Sequence, residues 1–246
     1  MRLQLCTWPE IETYLARSTG IIVPIGSTEQ HGPNGLIGTD AICPEVVAAE
    51  VGERIGALVA PTLSIGMAQH HLAFPGSLAL RPTTLIAVIR DVVQSLAVHG
   101  FRHVYFFNGH GGNVATAHAA FAEIHSDASF AGGEGGLRLK LANWYMGGRV
   151  QRLSRELFAD SEGSHATPSE ISLTWHAHPD RARPMTMTPR LAPQAEFGDA
   201  RDYRQKFPDG RIGSDPSLAS IEAGTRLFEA SVVDTIEDYQ AFLAQG

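Results

Sequence analysis

Gly20-Ile21-Ile22-Val23-Pro24-Ile25-Gly26-Ser27-Thr28-Glu29-Gln30-His31-Gly32-Pro33 sets an unbroken apolar run against a polar loop rich in glycine and proline. A short continuous apolar run bounded by glycines predicts a strand buried on both faces, the form that strands take in a parallel sheet. Parallel strands need crossover connections, usually helices, and the flanking sequence has them. Upstream, Thr7-Trp8-Pro9-Glu10 has the form of a capping box with proline in the first turn, which predicts a short helix to about Arg17. Downstream, a helix over 42–55 and a strand over 57–65 precede a helix over 83–98, whose Leu85, Ile89, Val92, Val93 and Leu96 fall on one face. A third strand over 102–107 leads through a loop to a helix over 114–125. Residues 131–136 read as a surface loop, 137–144 as a strand, 191–216 as irregular chain and 216–244 as a closing helix. This alternation predicts right-handed βαβ crossovers in an α/β fold, a three-layer α/β/α arrangement with a mainly parallel central sheet, with residues 1–246 forming one domain.

Charge and composition narrow the function classes. Nineteen Lys and Arg against 26 Asp and Glu give a net charge of −7, which provides no basic footprint for nucleic acid and no polybasic anchor for a membrane. Arg90 and Asp91 interrupt the longest apolar segment, so no membrane span is predicted. Pro9 and Glu10 break the N-terminal apolar stretch before it reaches the length of an export signal, so a cytoplasmic location is expected. Only Cys6 and Cys43 stand beside eleven histidines, which excludes a disulfide framework and directs any metal toward histidine and carboxylate ligands.

Ligands of open parallel sheets bind at the carboxyl ends of the strands, so polar residues following predicted strands are the place to look for chemistry. Three segments qualify. Glu29 and His31 follow the first strand, with Asp40 nine residues beyond His31. His110 lies in Asn108-Gly109-His110-Gly111-Gly112-Asn113 after the third. Ser164-His165-Ala166-Thr167-Pro168-Ser169-Glu170 places another histidine and glutamate at the start of a helix. Two histidines and three carboxylates suit one or two divalent cations of the Zn, Mn or Fe type, with Asp40 as the bridge, Glu29 and His110 on one ion, and His31 and Glu170 on the other. Such a pair polarises a carbonyl and activates a water, the machinery of amide hydrolysis. Each residue also has a plainer reading: Glu29 and His31 as a satisfied turn, Asp40 as a helix cap, the glycine loop as an anion cradle, Glu170 as a first-turn acid, and His165 as a surface residue. On those readings the chain is a non-catalytic metal- or phosphate-binding module. His70 and His71 border the same region, and Trp144 and Tyr145 are either pocket wall or core.

Taken together, these motifs resemble the creatininase family. Residues 26–33 with Gly38-Thr39-Asp40 are similar to its signature, Phe74-Pro75-Gly76-Ser77 to its FPGT element, residues 108–113 to its NGHGGN form, and His165-Ala166-Thr167 with Glu170 to its HAG-x-x-E segment. The resemblance implies Glu29, His31, Asp40 and His110 as metal ligands, zinc first among the metals, and His165 as the proton donor to a leaving nitrogen. Ser77 and Trp144 are the expected substrate contacts. Members that open the creatinine ring carry an aromatic residue and a ligand glutamate where this chain has Gly111 and Gly112, so creatinine is not the expected substrate and Glu170 is the expected replacement ligand. Thr167 stands where the motif has glycine. The resemblance implies hydrolysis of a C–N bond in a small cyclic amide or formamide, with a peptidase or deformylase as the related alternative, and a homo-oligomer of hexameric form.

Overall fold

A computed structural model of the chain describes residues 1–132 and 136–245. Four parallel strands form its sheet: β1 (Gly20–Ile25), β2 (Leu58–Val59), β3 (His103–Asn108) and β4 (Arg138–Asn143), in the order β2-β1-β3-β4. Side chains alternate across it, as the two-residue period of a strand requires. Ile21, Val23, Ile25, Val104 and Phe106 pack on one face with Leu85, Ile89 and Val93 of α3 (Pro82–Val98) and Ala117, Ala120 and Phe121 of α4 (Val114–Phe130). Ile22, Tyr105 and Phe107 pack on the other with α2 (Thr39–Ile55), α5 (Gly148–Phe158) and α8 (Ile221–Leu243). Helix α1 (Trp8–Leu15) starts on the expected capping box: the Thr7 N–H donates to Glu10 Oε2 at 2.6 Å.

Four stretches differ from the sequence-based expectation. The strand over 57–65 shortens to β2, because Pro61 has no N–H to give the ladder. The segment nevertheless follows β1, through Ala60 N to Ile22 O at 2.8 Å and Leu63 N to Pro24 O at 2.9 Å. Helix α2 begins three residues early, which places Asp40 in its first turn. Helix α5 was not expected, although Val150, Leu153, Leu157 and Phe158 have helical spacing. Within 191–216, helix α7 (Ala200–Lys206) forms behind Asp199, whose Oδ1 accepts the N–H groups of Arg201 and Asp202. Of the expected surface loop at 131–136, residues 133–135 lie outside the described residues.

The carboxyl ends of β1 and β3 lie side by side, with Ile25 paired to Asn108. A Cβ on Gly26 or on Gly109 would come within 2.0 Å of the Asp40 carbonyl oxygen. The missing side chains let the first turn of α2 seat directly on both strand ends. That close approach brings Asp40 to the loops bearing Glu29 and His110.

Candidate metal centre

Three segments far apart in sequence converge here. Asp40 Oδ1 lies 3.1 Å from His31 Nε2, and Asp40 Oδ2 lies 3.0 Å from His110 Nδ1. His110 Nε2 stands 3.4 Å from Glu29 Oε2, and His31 Nε2 stands 3.9 Å from Glu170 Oε2. Ligand atoms of Glu29, Asp40 and His110 fall within 4.8 Å of one another, as do those of His31, Asp40 and Glu170. Asp40 is common to these two sets, so the five residues expected as ligands form two triads sharing one carboxylate; a third group within the same span, Glu29, His31 and His165, brings His165 to the edge of the cluster.

The histidines are oriented for this arrangement. His31 Nδ1 donates to the Glu29 backbone carbonyl at 3.0 Å, which leaves Nε2 facing Asp40 and Glu170. His110 Nε2 donates to Met67 O at 2.8 Å, which leaves Nδ1 facing Asp40. A backbone carbonyl on the far nitrogen is the usual way to fix a ligating imidazole. The loop of His110 is clamped in turn: Asn113 Nδ2 donates to Gly26 O at 2.9 Å, and Met67 N donates to Asn113 Oδ1 at 3.0 Å. Ser27 Oγ donates to Glu29 Oε2 at 2.7 Å.

Electrostatically, the cluster calls for positive charge. Glu29 and Asp40 are buried, and Glu29 Oε1 and Asp40 Oδ2 accept no hydrogen bond. Imidazole nitrogens stand 3.1 and 3.0 Å from them without the geometry of one. Buried carboxylate oxygens left this way are costly unless a cation meets them, so the donor set fits a pair of divalent ions. Protons do the work in the metal-free protein. Burial disfavours a charged His31, but the charge and hydrogen bond of Asp40 outweigh it and raise its pKa to about 10. The same contest between burial and the charges of Glu29 and Asp40 raises His110 to about 9. Burial opposes ionisation of Asp40 too, yet His31 and His110 hold it well below the usual carboxylate range. Burial pushes Glu29 up, and lifts Glu170 to about 7.

Glu29, Asp40, His110 and Glu170 line a cavity of about 690 Å³, together with His71, Trp144, His165 and the α5 residues Gln151, Ser154 and Arg155, while His31 is buried and is not among the lining residues. His165 Nε2 donates to Gln30 O at 2.8 Å, and its Nδ1 lies 3.8 Å from Glu29 Oε1. Burial drives the His165 pKa well below its ordinary value, so the ring is neutral. Trp144 is in the cavity wall and in the core at once, 2% exposed. Ser77 is not among the cavity-lining residues; its Oγ accepts the Gln30 N–H at 3.1 Å, which places it behind the wall. Sequence reasoning gave no role to Gln30, whose Nε2 lies 2.9 Å from each of His71 Nδ1, His165 Nε2 and Gly210 O. His71 Nε2 reaches Glu29 Oε1 at 3.1 Å. The adjacency of Gln30 to Glu29 and His31 was the available signal.

A parallel α/β sheet with a shared-carboxylate histidine and acid cluster at its strand ends defines a class of metal-centred fold. Within it, the chain belongs to the creatininase family, whose model, described as creatinine amidohydrolase, matches residues 4–238. Creatinine amidohydrolase of Pseudomonas putida is 30% identical over 238 residues, covering 92% of this chain and 91% of that one. Mycofactocin precursor peptide peptidase of Mycobacterium ulcerans (strain Agy99) is 26% identical, covering 94% and 84%. A solved creatininase structure in a manganese form superposes with a TM-score of 0.84 at 25% identity, covering 98% of each chain.

Proposed function

We propose that this chain is a metal-dependent amidohydrolase that cleaves a C–N bond of a small cyclic amide or formamide, with Glu29, Asp40 and His110 on one divalent ion and His31, Asp40 and Glu170 on the other. The observation that carries the reading is the pair of triads meeting at Asp40. Family membership and the creatinine amidohydrolase relative support C–N hydrolysis. The manganese form of creatininase, and another form of that protein described as zinc–zinc, support divalent ions, zinc first and manganese or iron as alternatives. Bound ions polarise the scissile carbonyl and lower the pKa of a bound water. His165 then has a defined task. Its Nε2 proton is held by Gln30 O, so neutral Nδ1 is the atom that takes a proton from the attacking water and returns it to the leaving nitrogen. Trp144 contributes an apolar wall for the substrate.

Creatinine is not the substrate of this reading, because Gly111 and Gly112 stand where ring-opening members carry an aromatic residue and a ligand glutamate. A Cβ on Gly112 would lie 2.4 Å from His110 Nε2 and 2.8 Å from Met67 O, so this loop has no room for a ligand side chain there. A peptide is the second reading, favoured by the peptidase relatives, which match over nearly the whole chain. Among the described residues, no helix is long and apolar enough to cross a membrane. We place the protein in the cytoplasm as a single-domain chain in a homo-oligomer, a hexamer by family likeness, which light scattering will check. The functional test is a panel of cyclic amides, formamides and short peptides offered to chelator-stripped protein and to protein reloaded with Zn, Mn or Fe(II). Metal-restored turnover of a cyclic amide or formamide is expected; turnover of peptides alone selects the second reading, and no restored hydrolysis on any substrate overturns both.

A further inference from the structure

Glu29 and His31 come from the connection between β1 and α2, Asp40 from the first turn of α2 and His110 from the end of β3, whereas Glu170 arrives from a later helix, where its carboxylate is part of the helix cap. It sits at the third position of α6 (Pro168–Ala177), where Thr167 is the N-cap. Thr167 N donates to Glu170 Oε1 at 2.6 Å, and Glu170 N donates to Thr167 Oγ1 at 3.2 Å. This reciprocal pair is a capping box, and here it has a second consequence. With Oε1 held by the cap, the oxygen that faces His31 is Oε2.

The cap does not stop at Thr167. Thr167 Oγ1 and Ser169 Oγ are 3.1 Å apart, and Ser169 Oγ donates to Glu162 Oε1. Ser169 has one hydroxyl proton and gives it to Glu162, so the Thr167 hydroxyl turns its own proton toward Ser169 and the Glu162 carboxylate and keeps its lone pairs for the Glu170 N–H. Both hydroxyls are therefore oriented toward Glu162. Thr167 and Ser169 are buried, where such bonds are not traded against water. Glu162 belongs to the segment between α5 and His165, so the chain also ties α6 to the stretch that carries His165.

We propose that Thr167, Ser169 and Glu162 are positioning residues that aim Glu170 Oε2 at the second ion, and that affinity for this ion depends on the Thr167 hydroxyl. This rests on the reading of Glu170 as a ligand. His31 and His110 are oriented by backbone carbonyls alone; the Glu170 carboxylate also meets a backbone group, the Thr167 N–H, but the turn that presents that N–H is closed by side chains, the Thr167 hydroxyl accepting the Glu170 N–H and Ser169 and Glu162 tying it down.

Metal-free protein titrated with Zn²⁺ against a competing chromophoric chelator gives the stepwise affinities, and Co²⁺ loading adds a spectrum sensitive to ligand geometry. In T167V the second ion is expected to bind roughly 10–100-fold more weakly, the cost typical of a lost outer-shell partner, with the first ion unchanged as the internal control for folding. T167S restores the second affinity and the Co²⁺ spectrum. E162Q, which keeps an acceptor for Ser169, holds the second ion better than E162L. If T167V binds both ions with unaltered affinity while E170A falls to one ion, the positioning proposal is wrong and the ligand reading stands. If T167S fails to restore the T167V defect, the hydroxyl is not the cause and the proposal is again wrong. If E170A still binds two ions with unaltered affinity, the ligand reading beneath it fails.

Discussion

The two halves of the proposed metal centre are built differently. Glu29 and His110 follow neighbouring strands whose ends are paired, and each is held by groups close in space and fully buried: Ser27 Oγ on Glu29, Met67 O on His110. The other half joins His31, from the same loop as Glu29, to Glu170, which arrives on α6 and keeps 13% of its side chain exposed. The first half is fixed by the sheet; the second depends on how a helix docks and how its cap is made. Gly112 belongs to the His110 loop of the first half, where a Cβ would meet His110 and Met67, so on the proposed reading the ligand it does not supply comes from a different segment, through Glu170.

Removing the shared residue is expected to have the largest effect. Asp40→Ala should abolish binding of both ions and all metal-dependent hydrolysis, read by metal analysis after gel filtration. The halves should then separate: Glu170→Ala leaves one ion per chain, while His110→Ala removes the ion shared with Glu29, and competition titration ranks His110→Ala as the more damaging. His165→Ala should keep both ions and lower kcat by about 10²–10⁴-fold, the usual worth of a general acid–base group. A retained kcat would remove His165 from the chemistry.

Proton release gives a subtler measure. Without ions, His31 and His110 carry protons at neutral pH, with pKa values of about 10 and about 9, and Glu170 at about 7 is partly protonated. Ligation needs these groups deprotonated, so metal binding displaces protons, and apparent affinity should rise as pH rises from neutrality toward the His110 and His31 values. Calorimetric titration in buffers of different ionisation enthalpy should show about two to three protons released per chain near pH 7. The smallest change belongs to Ser77→Ala, which removes the acceptor of the Gln30 N–H and should cost about 1 kcal/mol of stability with KM unaltered. A raised KM would return Ser77 to the substrate wall.

Much of the first half was legible in the sequence because the sheet made it so. The run 20–26 could be read as a doubly buried strand from its apolar continuity alone, and strand ends are where parallel sheets place their ligands. Glu29, His31, Asp40 and His110 followed from that geometry and from motif resemblance. Residues beyond β4 were harder to read. The α5 helix alternates arginines with its apolar face, which masks its helical period and with it the cavity wall of Gln151, Ser154 and Arg155. Helix α7 was hidden in a polar stretch whose only strong signal was the Asp199 cap. Thr167 was noted as a departure from glycine, but the hydroxyl chain to Glu162 depends on a tertiary contact between two segments, which no local pattern encodes.

The most direct test is anomalous scattering from crystals of the zinc-loaded protein, recorded on both sides of the zinc absorption edge. The account predicts two peaks roughly 3.5–4 Å apart, astride Asp40, with Glu29 and His110 on one and His31 and Glu170 on the other. A single peak, or two peaks with Glu170 turned away from both, would contradict it.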